Sequence, residues 1–467
     1  MTTGLARVTI SAPQRRLDVA LPEQLPLAEL LPEVLRHAGE GLADDGERHG
    51  GWVLRRSDGA VLATGQALHA QGVRDGEVLH LVPAHAHWPE LEYDDVVEVI
   101  AEGARRRGAA WSPAATRVAA LSGAGVPLAV GLVALASGGP HHPAYWLVAA
   151  VVAVLLAVAG GVASRAYGDA TAGATLGGYA LPYAFAAAAL LVSSGDPVSP
   201  FGPLRWLGAP ELLTGSVALL LAAVLGLFGV AARLRVFAAG ATVGLAGAAT
   251  ALLGFVVAPA GAAAVLLSVL VLAVGVLPLL AIRLGKVPLP PITLPVGADT
   301  GSRPGVRDLP DADRVHAAVA RTEETLTGML LGHAVLTVAA ALVLTVTGGL
   351  AGRLLVAVAG AVLLLRARLF VALRQRVPTV AAGLAALAVL GVALVGRAAP
   401  VTLLALVAAG VVLALLTVVA GTTYAQRPVS PYLGRAADLT DTLLVVAVVP
   451  VACAVLDLYD RARGLLG

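Results

Sequence analysis

From about residue 114 to its end, this chain is a succession of apolar stretches, each about 20 residues long and nearly free of charge. A helix of about 20 residues crosses the roughly 30 Å hydrocarbon core of a bilayer. Lipid offers the backbone no hydrogen-bond partners, so such stretches must be helical. The pattern predicts a mainly α, polytopic membrane protein with about 11 transmembrane helices. The predicted segments lie near residues 115–136, 144–164, 170–193, 212–232, 236–257, 260–282, 329–349, 352–370, 377–396, 400–421 and 440–458.

Basic residues in the loops predict the orientation of these helices. Loops that share a side with the N-terminus carry fifteen basic residues, and the opposite loops carry three. The fifteen are Arg165, Arg233, Arg235, Arg283, Lys286, Arg303, Arg307, Arg314, Arg321, Arg366, Arg368, Arg374, Arg376, Arg427 and Arg435, and the three are Arg205, Arg353 and Arg397. Cytoplasmic loops are enriched in Arg and Lys. We therefore expect a cytoplasmic N-terminus and an extracytoplasmic C-terminus, although Arg461 and Arg463 in the tail run against the rule.

The first 84 residues have the composition of a soluble α+β domain. Strands are predicted at 5–10, 16–21, 52–55, 61–62 and 76–82, with an amphipathic helix from Pro26 to about Gly39. Pro32 is unusual inside that helix. This order of elements resembles the ubiquitin β-grasp fold; another small α+β domain is the alternative. No apolar signal sequence is visible, so we expect this head in the cytoplasm.

The chemistry of the head argues against conjugation to other proteins, because Val82 is followed by Pro83 and not by a diglycine. The head also has no lysine, since Lys286 is the only one in the chain. We therefore interpret the head as a docking module. His85 and His87 lack a third ligand and are more typical of a solvated linker than of a metal site.

Residues 85–113 form a linker with a predicted amphipathic helix and a basic cluster. Arg105, Arg106 and Arg107 precede Trp111 and the first apolar segment. Basic and aromatic side chains at this position are typical of the cytoplasmic membrane interface, where anionic lipids attract Arg. A solvated run of charges is the alternative interpretation.

Within the predicted membrane domain, residues 114–460, small residues at helical spacing indicate close helix packing. Gly173 with Gly177, and Gly240 with Gly244, form GxxxG pairs. We expect most such pairs to pack inside one subunit and some to join two copies. A cytoplasmic loop is predicted at about 283–328, with a Pro-rich start and a helix from Asp311 to Gly328. That helix is interpreted as a surface or partner-docking element, or as a plain connector.

The chemistry of an enzyme is missing from the sequence. Lys286 lacks the glycine spacing of a P-loop, and Cys453 is the only cysteine. No predicted span has an ionisable residue near its middle, where such groups are costly and mark function. The ionisable residues near span ends, expected at the membrane interface, are Asp169, Glu211, His333, Arg366, Arg368, Asp441 and Asp457. Asp438 and Asp441 are expected to cap the last span and to pair locally with Arg435. We predict no catalytic residues, no cofactor and no metal.

A ubiquitin-like head, a basic linker, about 11 spans and a Pro-containing loop at 283–292 (RLGKVPLPPI) together resemble the EccD family. These are polytopic components of mycobacterial-type type VII (ESX) secretion systems. The arginine-rich, Ala- and Val-rich composition fits the GC-rich genome of an actinobacterium. The resemblance implies a paired subunit around a lipid-filled cavity, assembled with EccB, EccE and the ATPase EccC, and no nucleic-acid partner. The sequence does not identify which ESX system the chain serves, and our working expectation is the third. A secondary transporter with an accessory head is the alternative, and an intramembrane enzyme ranks third.

Overall fold

The computed structural model describes residues 4–13, 15–39, 42, 51–84, 111–286, 312–426 and 430–466. The chain divides into two compact units, Met1–Ser112 and Pro113–Gly467.

The first unit is a small mixed sheet packed on one helix. Its elements are β1 (Leu5–Ser11), β2 (Arg16–Pro22), α1 (Leu27–Ala38), β3 (Trp52–Arg56) and β4 (Val78–Pro83). The strand order is β2-β1-β4-β3. The central pair, β1 and β4, is parallel, and both outer pairs are antiparallel. This arrangement confirms the predicted ubiquitin-like class.

Alternation along the strands builds the core of this head. Val8, Ile10, Leu54, Leu79 and Leu81 are buried, while their strand neighbours are more exposed. The predicted strand at 61–62 is reduced to one isolated bridge with β3, so the described sheet has four strands where five were expected. The helix α1 continues through the proline at its sixth position.

The second unit is helical throughout its described parts. Its helices are α2 (Pro113–Gly138), α3 (Tyr145–Arg165), α4 (Ala170–Val192), α5 (Ala209–Gly229), α6 (Leu234–Gly254), α7 (Pro259–Ala273), α8 (Leu277–Gly285), α9 (Ala312–Thr347), α10 (Gly349–Arg366), α11 (Leu373–Val395), α12 (Pro400–Gln426), α13 (Pro431–Val455) and α14 (Leu458–Leu466). Among the described residues, 10 helices are long and apolar enough to cross a membrane, or 11 if α7 and α8 count as one bent span. Every predicted segment coincides with one of these, so the predicted architecture of about 11 spans is confirmed.

Three boundaries differ from the sequence-based expectation. The sixth segment is broken between α7 and α8, with a bend of 69°. The helix predicted at 311–328 and the seventh span are one continuous helix, α9, of 36 residues. The helix continues through Gly328, where the missing Cβ lets α9 lie against the backbone of α6 at Arg235. The last span, α13, begins at Pro431 and not near residue 440.

Alanine and glycine bring the helices of the bundle close together. The largest buried cluster joins α7, α9, α10, α11 and α13, and includes Leu267, Leu344, Leu355 and Val362. The helix α2 contacts the bundle without burying any of its own residues. Three aromatic side chains donate hydrogen bonds to its carbonyl groups: Tyr179 to Leu121, Tyr183 to Leu128 and Trp206 to Ala136.

Candidate functional site

The residues predicted to lie at the membrane interface are only partly described. Arg105, Arg106 and Arg107 lie outside the described residues, as do His85 and His87. Trp111 is described, two residues before α2, and 72% of its surface is exposed. A large exposed aromatic side chain next to a span is what the interface assignment requires. The interface role of all four linker residues stays a prediction.

The four glycines predicted to pack helices all lie at contacts between helices of the same chain. A Cβ on Gly173 would lie 2.7 Å from the carbonyl oxygen of Gly160 in α3, and one on Gly177 would lie 2.8 Å from the ring of Phe237 in α6. Gly240 and Gly244 of α6 face Leu181 of α4 and Leu220 of α5 in the same way. All four glycines are buried. The helices α3, α4, α5 and α6 therefore pack against one another through these glycines.

The break in the sixth segment brings together polar side chains from neighbouring helices. The last four carbonyl groups of a helix lack partners within it, and Leu270 and Val271 belong to the last turn of α7. The ring nitrogen Nε2 of His333, on α9, lies 3.0 Å from the Leu270 carbonyl oxygen. Nη1 of Arg366, at the end of α10, donates to the Val271 carbonyl oxygen over 2.8 Å. Two side chains from neighbouring helices therefore supply hydrogen-bond donors where the helix stops.

The position of His333 differs from the expected one. Its side chain is 2% exposed and lies well inside α9, because that helix begins at Ala312 and not near residue 329. It is therefore buried among the helices of the bundle. Glu211 is also buried and lies in the first turn of α5, where its carboxylate accepts a hydrogen bond from the Gly208 N–H over 3.0 Å.

Asp441 holds Arg366 in place from the opposite side. Its carboxylate lies 3.3 Å from Nε of Arg366, and the two side chains are 20% and 17% exposed. Asp438, one turn earlier on α13, pairs with Arg368 over 2.5 Å. The expected local pairing of these aspartates with Arg435 as a cap of the last span is wrong, because α13 begins at Pro431. Both aspartates therefore lie within α13, beyond its first turn. Their carboxylates contact Arg366 at the end of α10 and Arg368 in the turn that follows.

Further ion pairs connect other helix ends. Arg117 of α2 pairs with Asp169, which caps α4, and Arg235 of α6 lies 3.7 Å from Glu324 of α9. The N–H of Ala172 donates to Asp169 and holds the pKa of that carboxyl below its ordinary value, an effect that Arg117 strengthens. These two pairs join α2 to the start of α4 and α6 to α9.

Two predicted spans leave almost their whole surface open. In both α2 and α12 the apolar window that identifies the span is 0% buried. No residue from 400 to 424 in α12 is buried, and its exposed side chains are nearly all aliphatic. In a membrane such a surface contacts lipid tails or neighbouring helices.

The described residues hold no cluster of three or more His, Cys, Asp or Glu side chains that could bind a metal ion. The polar centre at Leu270 and Val271 is the feature that the sequence analysis missed. Its parts are far apart along the chain, since 75 residues separate Arg366 from Asp441. The sequence signal that could have predicted the break is Gly275 followed by Pro278, because both residues weaken a helix and lie inside the sixth segment.

Comparisons with known proteins agree with this architecture. Residues 116–465 match the family model of the EccD-like transmembrane domain, and residues 5–81 match YukD of the WXG100 protein secretion system. The ESX-4 secretion system protein eccD4 of Mycobacterium tuberculosis, curated for two strains, is 30% identical over 203 residues. That alignment covers 42% of this chain and 42% of the relative.

Two solved structures share the fold. Protomer 1 of an ESX-3 core complex has a TM-score of 0.56 and 22% identity, over 98% of this chain and 100% of that one. A chain of a MycP5-free ESX-5 inner membrane complex has a TM-score of 0.55 and 22% identity, over 89% of this chain and 99% of that one. The curated relatives are ESX-4 proteins, and the expected assignment to the third ESX system stays a prediction. The family model covers most of the chain, and the chain therefore belongs to the EccD family of type VII (ESX) secretion components.

Proposed function

We propose that this protein is a structural, non-enzymatic subunit of a type VII secretion complex in the plasma membrane. The observation that carries this proposal is the joint presence of the EccD-like bundle and the YukD-like head in one chain. A bundle that leaves two complete helices uncovered suits a component that is surrounded by other membrane proteins and lipid.

Pairing with a second copy is part of this proposal. The glycine contacts join helices within the subunit, so the paired copy meets the lipid-facing sides of α2, α12 or their neighbours. Those surfaces are aliphatic, with Leu404, Val407 and Leu415 each at least 60% exposed. A cavity enclosed by such walls between two copies holds lipid tails and not water, because apolar walls offer water no hydrogen bonds. Ordered water against charged side chains in that cavity would contradict this point.

The proposed orientation places the head and the ion-paired helix ends in the cytoplasm. The loop bias of fifteen basic residues against three supports it. A periplasmically active reporter fused after Gly467 is expected to be active, and the same reporter fused before the head is expected to be silent. A cytoplasmic C-terminus would mean that α7 and α8 do not together cross the membrane.

The head is proposed to dock on the cytosolic part of the EccC-type ATPase or on an EccB- or EccE-type neighbour. A tether of about thirty residues keeps it near the membrane, which raises the effective concentration for any membrane-anchored partner. The test is deletion of residues 1–84 with Arg105–Arg107 retained, followed by purification from membranes in mild detergent. Loss of the ATPase from an otherwise inserted complex is expected. Full recovery of the complex together with normal secretion would refute the docking role.

One observation bears on the alternative of a secondary transporter. Broken membrane helices commonly bind ions or substrates at their open ends in transporters. Here the open carbonyl groups of α7 already receive donors from His333 and Arg366. Substrate-coupled proton flux in liposomes that contain only this protein would nevertheless favour the transporter over the secretion subunit.

A further inference from the structure

The helix α7 is too short to cross a bilayer. It has 15 residues, which correspond to about 22 Å, whereas the hydrocarbon core is about 30 Å thick. After three residues the chain turns by 69° into α8. The nine residues of α8 are about 13 Å long and, at this angle, advance only about 5 Å along the axis of α7. The second half of the sixth segment therefore runs mostly sideways.

Contacts with α9 give the level at which α8 lies. Ala281 of α8 shares a buried cluster with Leu326 and Leu330 of α9, and Gly285 packs against Thr322. Measured along α9 back from Thr347, these partners lie about 26 Å (Leu330), 32 Å (Leu326) and 38 Å (Thr322) away. With Thr347, the C-terminal end of α9, taken as one boundary of a 30 Å core, the far boundary falls within this range. The helix α8 thus begins at the edge of the hydrocarbon and ends in the headgroup region.

The surface of α8 that does not contact α9 combines aliphatic and basic side chains. Leu279 and Leu284 are 62% and 60% exposed, and Leu280 and Ile282 are also exposed. Arg283 and Lys286, the only lysine of the chain, are exposed at its end. Helices that lie in the plane of a membrane interface have this composition, with aliphatic residues in the acyl region and Lys or Arg at the headgroups.

We propose that α8 is an interfacial helix that binds anionic phospholipid through Arg283 and Lys286. Its occupant is lipid because α8 continues the membrane-embedded helix α7 after only three residues, so its exposed aliphatic side chains enter the same leaflet. His333 and Arg366 fix the bend by hydrogen bonds to the end of α7. The assignment to the cytoplasmic leaflet rests on the proposed orientation, but lipid contact itself does not.

The first test locates α8 relative to water and lipid. A spin label is attached to Leu280→Cys or Leu284→Cys in full-length Cys453→Ala protein, reconstituted in nanodiscs of phosphatidylcholine and phosphatidylglycerol. We expect the label to collide more with oxygen, which dissolves in lipid, than with a water-soluble nickel chelate. Ala20→Cys, on the exposed side of the head, serves as the water-exposed control. Preference for the nickel chelate, or shielding from both reagents by protein, would overturn the proposal.

The second test addresses the two basic residues. The label at residue 284 is expected to change its collision ratio when phosphatidylglycerol is added to phosphatidylcholine nanodiscs. R283Q/K286Q should abolish this change, and the charge-preserving R283K/K286R should retain it. R205Q/R397Q, which removes two basic residues from the opposite loops, is the matched control and should behave like the parent. An unchanged response in R283Q/K286Q would refute headgroup binding, and the charge-preserving variant shows whether a loss reflects charge or misfolding.

Discussion

The polar centre at the end of α7 allows a sharp prediction about stability. Arg366 serves two acceptors, the carboxylate of Asp441 and the carbonyl group of Val271, and its side chain is 17% exposed. Substitution Arg366→Leu leaves both without their donor. Removing one partner of a largely buried ion pair costs about 3–5 kcal/mol, because the remaining charge stays desolvated. The residual exposure of this pair places our expectation near the lower value.

The double variant R366L/D441L should be more stable than Arg366→Leu alone. It removes the stranded carboxylate and leaves only the Val271 carbonyl group unsatisfied, at about 1–3 kcal/mol. The matched control is Arg368→Leu, two residues further along, whose partner Asp438 is 73% exposed. That pair is screened by solvent and should contribute less than about 1 kcal/mol.

The free energy of unfolding of these variants is measured by titration with sodium dodecyl sulfate in mixed micelles, followed by circular dichroism. The expected order of destabilisation is Arg366→Leu first, the double variant second and Arg368→Leu last. A double variant that is no more stable than Arg366→Leu would show that the stranded charge is not the main cost. Equal effects at residues 366 and 368 would show that burial of the pair does not matter.

Three further outcomes are expected. Gly160→Ala should lower the free energy of unfolding, measured by the same titration, by about 1–3 kcal/mol, because its Cβ would lie 2.8 Å from a carbonyl oxygen of α4. Gly161→Ala is the control, since its Cβ meets open space and the substitution should be neutral or slightly stabilising. The pKa of Asp169 is lowered in the folded state, so its carboxylate stabilises the fold at pH values above the unfolded pKa of 3.8. The difference in melting temperature between the parent and Asp169→Ala should be constant from about pH 5 to 8 and shrink as the pH falls below about 4. Leu54→Ala in the head, at a side chain that is 0% exposed, should cost about 2–5 kcal/mol of head stability by amide exchange and leave the helical signal of the bundle unchanged.

The sequence was sufficient for the architecture because its strongest signal is local. Ten of the eleven apolar stretches form single helices long enough to span a membrane, and alternation at Val8 and Ile10 or at Leu79 and Leu81 indicates a half-buried strand. The short strand at 61–62 was overpredicted, because β-branched and aliphatic composition does not require a complete ladder of backbone hydrogen bonds.

The interior polar contacts could not be derived in this way. Average hydropathy over a window is the same for a straight helix and for one that bends at Gly275. Arg366 and Asp441 each resemble an interface residue, and only their approach in space shows that they hold the end of α7. The charged first turns of α9 were predicted as a separate helix in a loop, because their charges differ from the apolar sequence that follows. A single helix can nevertheless begin in water and continue into the membrane, as α9 does in sequence character.

The uncovered helix α12 has a consequence for how sequences of this family can be interpreted. From residue 400 to 424 it buries no side chain in its own subunit, so internal packing imposes no choice of residue there. Selection on α12 then acts only through lipid and through neighbouring proteins. Positions that vary little along α12 among family members would trace contacts with those neighbours. In α9, by comparison, many residues are buried within the subunit, so low variability there could reflect internal packing as well as contacts with neighbouring proteins.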